Sequence, residues 1–120
     1  MTRQRLRREN HPEPDSDEKA CCIKRAREYL PERVGFYSSL MDLQPAGITI
    51  TGARTRFGSC SSKKRLSFSW RLMQYPDEAI DYVVVHELAH LRCMNHSKEF
   101  YELIEKFLPD YKQRRKLLKE

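Results

Sequence analysis

The chain has 120 residues, 39% of them hydrophobic and 33% charged, enough for one modest core and too few for two. No apolar run approaches the roughly 20 residues that a bilayer-spanning helix requires, so no membrane role is expected. The net charge of +6 leaves room for an acidic partner such as nucleic acid.

Residues 1–16 are charged and include Pro12 and Pro14, which reads as a flexible tail ahead of one domain over residues 17–120. Arg3, Arg5, Arg7 and Arg8 are followed by no apolar segment, so a secretory signal is not supported and the cytoplasm is the expected compartment. Cys21, Cys22, Cys60 and Cys93 then read as thiols instead of a disulfide framework. The basic residues fall in three clusters: the N-terminal arginines, Lys63-Lys64-Arg65, and Arg114-Arg115-Lys116 with Lys119. Solvated surface is the plain explanation, and a nucleic-acid contact is the alternative.

Ser16 or Asp17 can cap a helix running to about Met41, with an apolar stripe of Cys22, Ala26, Tyr29, Leu30 (or Val34), Tyr37, Leu40 and Met41 near the 3.6-residue period. Pro31 inside it removes a hydrogen bond and is expected to kink or break it, leaving two short helices as the fallback. Ile48 to Thr51 is β-branched throughout and begins a strand. Thr55 to Cys60 reads as a second extended piece. Leu66, Phe68 and Trp70 alternate with polar residues as in a half-buried strand, after a turn at Ser61 to Lys64. The sum is a small sheet of two or three strands.

The next helix is expected to start at Asp77 as N-cap and to end near Met94-Asn95, with Ile80, Val83, Val84, Leu88 and Leu91 facing the core. Ser97 can cap a further helix with Phe100, Leu103, Ile104, Phe107 and Leu108 on one face. Pro109 stops it, and Asp110 can cap a short basic last helix. The fold class is therefore α+β.

Residues 86–90 read HELAH. Four residues along a helix rise roughly 6 Å and return to nearly the same face. His86 and His90 can therefore converge on one ion at about 2.0–2.1 Å. Glu87 flanks that row and is placed to act as general base on an attacking water. His96, beyond the expected helix end, supplies the third imidazole, and catalytic zinc commonly takes three protein ligands. Competing third ligands are Cys93, Glu99 and Glu102, while a capping role is the plain reading of His96. His11 reads as idle. The spacing equals that of metzincins, but Cys93 stands where their glycine would be and no methionine turn follows.

TRFGSCSSKKRLSFSWRL (55–72), IDYVVVHELAHL (80–91), MNHSKEF (94–100) and LPDYKQRRKLL (108–118) resemble the YgjP-like metallopeptidases, relatives of the SprT-like and Wss-like proteases. The resemblance covers roughly residues 24–119. It implies a minimal zincin-like α+β domain with one zinc ion (Zn2+) at His86, His90 and His96, and Glu87 as catalytic acid/base. Its SprT-like relatives are associated with DNA-linked protein substrates. Phe57 stands where the family usually has Trp, and a charged segment replaces a longer N-terminal β-rich portion.

The expected activity is zinc-dependent hydrolysis of peptide bonds in a polypeptide substrate. The alternatives are a basic nucleic-acid-binding module with a structural zinc site, and a shortened homologue with weakened catalysis. A bound peptide is expected along a strand edge, at Thr55–Ser59 or Leu66–Trp70. Arg54, Arg56 and Tyr101 are open candidates for steadying the transition-state oxyanion.

Overall fold

A computed structural model describes residues 13–119. Of the tail expected over residues 1–16, residues 1–12 fall outside them, as do His11 and the N-terminal arginine cluster, while Asp15 and Ser16 belong to the start of the first helix. Helix α1 spans Ser16–Met41. Its N-cap is Asp15, not Ser16 or Asp17: the Asp15 carboxylate accepts from the Glu18 amide at 2.8 Å, and Glu18 accepts from the Asp15 amide at 3.0 Å. The reciprocal pair satisfies two amides that a helix start leaves open. Pro31 does not divide the helix, which continues through it. Its ring lies on the exposed side, while Ala26, Leu30, Val34, Tyr37 and Met41 form one buried face. Packing of that face outweighs the single lost bond. Leu40, expected in the stripe, is 53% exposed. Asp42 closes the helix in the left-handed conformation, φ 57°.

Strands β1 (Gly47–Thr51), β2 (Gly58–Cys60) and β3 (Arg65–Ser69) follow. The sheet order is β1-β3-β2, with β1 parallel and β2 antiparallel to β3. β3 is therefore the central strand, and its Leu66 and Phe68 are fully buried. That corrects one expectation: Leu66–Trp70 offers no free edge, because both sides of β3 are already paired. β2 is an edge. Trp70 leaves the strand for a 3-10 turn, Trp70–Gln74, where the Ser69 hydroxyl accepts from the Arg71 amide.

Helix α2 runs Asp77–Ala89, α3 Lys98–Phe107 and α4 Tyr111–Lys119. Pro76 is the N-cap of α2 and makes no side-chain cap; Asp77, the expected cap, pairs instead with Arg25 at 2.9 Å. α2 ends at Ala89, five residues before the expected Met94. Its last turn tightens, with Leu91 N–H donating to the Leu88 carbonyl and Arg92 N–H to the Ala89 carbonyl. Ser97 caps α3 as expected, accepting from the Phe100 amide at 3.3 Å. The Asp110 carboxylate reaches Arg114 at 2.8 Å.

Ile80, Tyr82, Val83, Val84, Val85 and Leu88 of α2 are all fully buried, so this helix is central and buried all round. α1, β2, α3 and α4 each pack against it. Arg33 fixes α1 to α2 by donating twice to Asp81 at 3.0 Å, and Tyr37 donates to the same carboxylate at 3.1 Å. Arg71, 8% exposed, is engaged by Glu13 through two bonds of 2.9 and 3.0 Å.

Candidate metal centre

His86 and His90 sit in the last turn and at the C-cap of α2, both buried. The chain then turns through residues 91–97 and brings back His96, which is exposed. Ligand-capable atoms of the three lie within 4.8 Å of one another. Ring centroids are 5.1 Å apart for His86–His90, 5.3 Å for His86–His96 and 4.9 Å for His90–His96. Phe100 of α3 packs against all three rings and stacks on His90 at 4.2 Å.

The weighed alternatives for the third ligand do not join the cluster. Because α2 stops at Ala89, Cys93 is off the helix. Its contribution is its carbonyl, which accepts from His90 Nδ1 at 2.9 Å. That bond fixes the tautomer and leaves His90 Nε2 as a lone-pair donor. Glu99 and Glu102 are exposed on α3 and outside the cluster.

Glu87 is 0% exposed, and neither carboxylate oxygen has a hydrogen-bond partner, the nearest polar approach being His86 Nδ1 at 3.4 Å from Oε2. His90 Nε2 and His86 Nδ1 are likewise buried without one. Such atoms are costly to leave unmatched, and a cation with a coordinated water is a group that would match them. The donor set, three neutral imidazoles with one position left over, suits zinc. Burial drives the pKa values accordingly. His86 falls well below the ordinary imidazole range through burial, aided by His90, His96 and Arg115. His90 falls to about 4 by burial, and His96 is lowered by the same cause. All three stay neutral, the ligating form. Burial raises Glu87 well above the carboxylate range.

The edge strand β2 closes the far side of Glu87. A Cβ on Gly58 would lie 3.1 Å from the Ser67 carbonyl oxygen, 3.2 Å from Glu87 Cγ and 3.3 Å from Glu87 Oε2. Glycine thus lets the strand backbone approach the carboxylate. A lone glycine inside a strand pattern, as at Gly58, is the signal in the sequence for such an approach. Cys60, two residues on, is fully buried, and burial followed by the Glu87 charge raises its thiol to about 11. It is a core thiol.

Of the three oxyanion candidates, Arg54 pairs with Glu13, Arg56 lines a recess beside Phe57 and Gly58, and Tyr101 stacks on His96 at 6.2 Å. Tyr101 is thereby placed against a member of the histidine cluster. In the basic clusters, Arg65 is held by Thr49 and Arg114 by Asp110, so part of the charge has structural work. Among the described residues, no helix is long and apolar enough to cross a membrane.

A small α+β domain with three histidines and an adjacent glutamate at its central helix has the frame of a metallopeptidase. The chain belongs to the YgjP-like family: the model of the YgjP-like metallopeptidase domain matches residues 2–120. The crystal structure of the metallopeptidase zymogen of Pyrococcus abyssi abylysin superimposes with a TM-score of 0.62 at 21% identity, covering 72% of this chain and 85% of that one. That likeness is one of fold. A UTP pyrophosphatase of Escherichia coli (strain K12) is 31% identical over 67 residues, 56% of this chain and 40% of that protein's length. The chain thus spans well under half of that relative.

Proposed function

We propose that the protein is a zinc-dependent peptidase in which His86, His90 and His96 hold one zinc ion and Glu87 is the general base. The observation that carries the reading is the buried Glu87 carboxylate, without a hydrogen bond and 3.4 Å from His86 Nδ1, beside a cluster of three imidazoles. Zinc in such a site supplies Lewis-acid polarisation and lowers the pKa of a coordinated water to about 7. Glu87 takes a proton from the attacking water and returns it to the leaving amine, and its raised proton affinity suits both transfers. His90 is held by the Cys93 carbonyl so that Nε2 faces the cluster. The edge of β2 at Gly58–Cys60 is the place where an extended polypeptide would add as a strand.

A second reading rests on the UTP pyrophosphatase relative: the same centre would direct water at a phosphoanhydride of a nucleoside triphosphate. One experiment separates the two. Zinc-loaded wild type and Glu87→Gln are incubated with an unfolded protein and, separately, with UTP. The peptidase reading expects protein cleavage by wild type, at least about 100-fold less by the variant, and equal zinc content in both. Equal cleavage by both removes Glu87 from its role, and pyrophosphate release without protein cleavage transfers the centre to the second reading.

A further inference from the structure

Helix α4 brings Tyr111, Arg115 and Leu118 to one face at i, i+4 and i+7 spacing, and Tyr111 and Leu118 are buried there. Tyr111 stacks on Tyr82 at 6.5 Å and on Tyr101 at 5.9 Å. Tyr82 in turn adjoins His86 at 5.6 Å, and Tyr101 adjoins His96 at 6.2 Å. The rings form a closed circuit, two of whose members are histidines of the metal centre.

The Arg115 guanidinium stands over this circuit, 6.0 Å from the Tyr101 centroid and 5.9 Å from that of Tyr111. It is half-buried. The neighbouring arginine makes a useful contrast: Arg114 is engaged by the Asp110 carboxylate at 2.8 Å and by the Glu78 carbonyl at 3.1 Å. No carboxylate among the described residues forms an ion pair with Arg115. A guanidinium on aromatic faces keeps its fork of donors free for one planar or tetrahedral oxyanion.

We propose that Arg115 is a substrate-anchoring residue of the metal centre, which takes a terminal oxyanion of the substrate, a carboxylate or a phosphate. The pairing would set specificity by placing the substrate's anionic end over Tyr101 and Tyr111 and its scissile bond toward the histidines. The proposal rests on the three-histidine centre and not on which bond is cut there, so it is tested by binding.

Zinc-loaded wild type, Arg115→Gln, Arg115→Lys and Arg114→Gln are titrated with inorganic phosphate, with a tripeptide bearing a free C-terminal carboxylate, and with the same tripeptide amidated. Affinity is read by calorimetry, and the Arg115 Nε–H NMR signal is followed in wild type. Wild type is expected to bind phosphate or the free-acid tripeptide with a shift of that signal. Arg115→Gln should lose about tenfold or more in affinity, equivalent to about 1.4 kcal/mol. Arg115→Lys should recover part of it and Arg114→Gln should lose little. Preference for the free acid over the amide, abolished in Arg115→Gln, assigns the anchor to a carboxylate; an Arg115-dependent phosphate affinity without that preference assigns it to phosphate. Unchanged affinities in Arg115→Gln, equal losses in Arg114→Gln, or no binding of either probe would overturn the proposal. None of these outcomes depends on turnover, so a failed peptidase assay remains distinguishable.

Discussion

Replacing Asp81 by alanine tests whether the Arg33–Asp81–Tyr37 cluster holds the central helix in place. The side chains of Arg33 and Asp81 are 23% and 13% exposed, between the surface regime, where a pair contributes about 0–1 kcal/mol, and the buried one, where breaking it costs about 3–5 kcal/mol. The Asp81 carboxylate accepts three bonds of 3.0, 3.0 and 3.1 Å, two of them from the charged guanidinium, and the same cluster raises the Arg33 pKa further through that hydrogen bonding. Alanine leaves the guanidinium half-buried and unpaired, so a loss of about 2–3 kcal/mol is expected. That is a large part of the 5–15 kcal/mol typical of a domain, but the chain should still fold. Urea unfolding of wild type, Asp81→Ala, Arg33→Met and the double variant gives the coupling energy, expected to exceed about 1 kcal/mol and to persist when salt is raised. Zinc affinity of the folded variant should change little, since Asp81 faces α1 and not the histidines. A coupling below about 0.5 kcal/mol would refute the cluster as a clamp.

Gly58→Ala forces a methyl against the Ser67 carbonyl and the Glu87 side chain; we expect about 1–3 kcal/mol of destabilisation and a turnover loss of tenfold or more at unchanged zinc content, and normal turnover would contradict the close approach. Glu87→Leu removes a buried acid with two unpartnered oxygens, so the metal-free variant should unfold about 1–3 kcal/mol later than wild type in urea while its activity is abolished. Stability against pH is best read in metal-free Glu87→Gln, because the raised pKa of Glu87 acts with the opposite sign. His90 is protonated near 6.5 when unfolded but only at about 4 when folded. The unfolded chain therefore binds more protons between these values, and the stability that His90 contributes is complete above about 6.5 and fades as pH falls toward 4. From pH 7 to 5 the fully buried ring should cost about 2 kcal/mol, read from urea midpoints at each pH; a flat profile would mean that the ring is not held neutral.

How much of this was visible in the sequence differs from element to element. The pair His86 and His90 was legible because helical periodicity alone puts i and i+4 on one face. Ser97 was legible as a cap, since its hydroxyl has one amide to serve. The end of α2 was not. No glycine or proline interrupts residues 86–95, and Asn95 is the natural place to stop a helix, yet the backbone departs at Ala89 through i to i+3 bonds that leave no residue-type signature. The strand order was equally hidden: alternation identifies a half-buried strand but not its neighbours, so Leu66–Trp70 and Thr55–Ser59 looked alike as edges. Only the parallel pairing of β1 onto β3 makes one of them central. Gly58 escaped for a related reason, because what it avoids is a side chain nearly thirty residues away.

The early end of α2 is the condition for the third imidazole to arrive. Had the helix continued to Asn95, His96 would stand about 9 Å further along the axis than His90 at 1.5 Å per residue, out of reach of an ion shared with it. Stopping at Ala89 gives the chain room to turn back, and the ligand-capable atoms come within 4.8 Å. The same turn exposes the Cys93 carbonyl toward His90 Nδ1, so the segment that delivers one imidazole also orients another. Ser97 then starts α3 at once, and α3 carries Phe100 onto all three rings. Imidazole position, tautomer and ring packing thus depend on one stretch of eight residues, 90–97. The five residues between His90 and His96 are constrained less by their side chains than by the path their backbone must take.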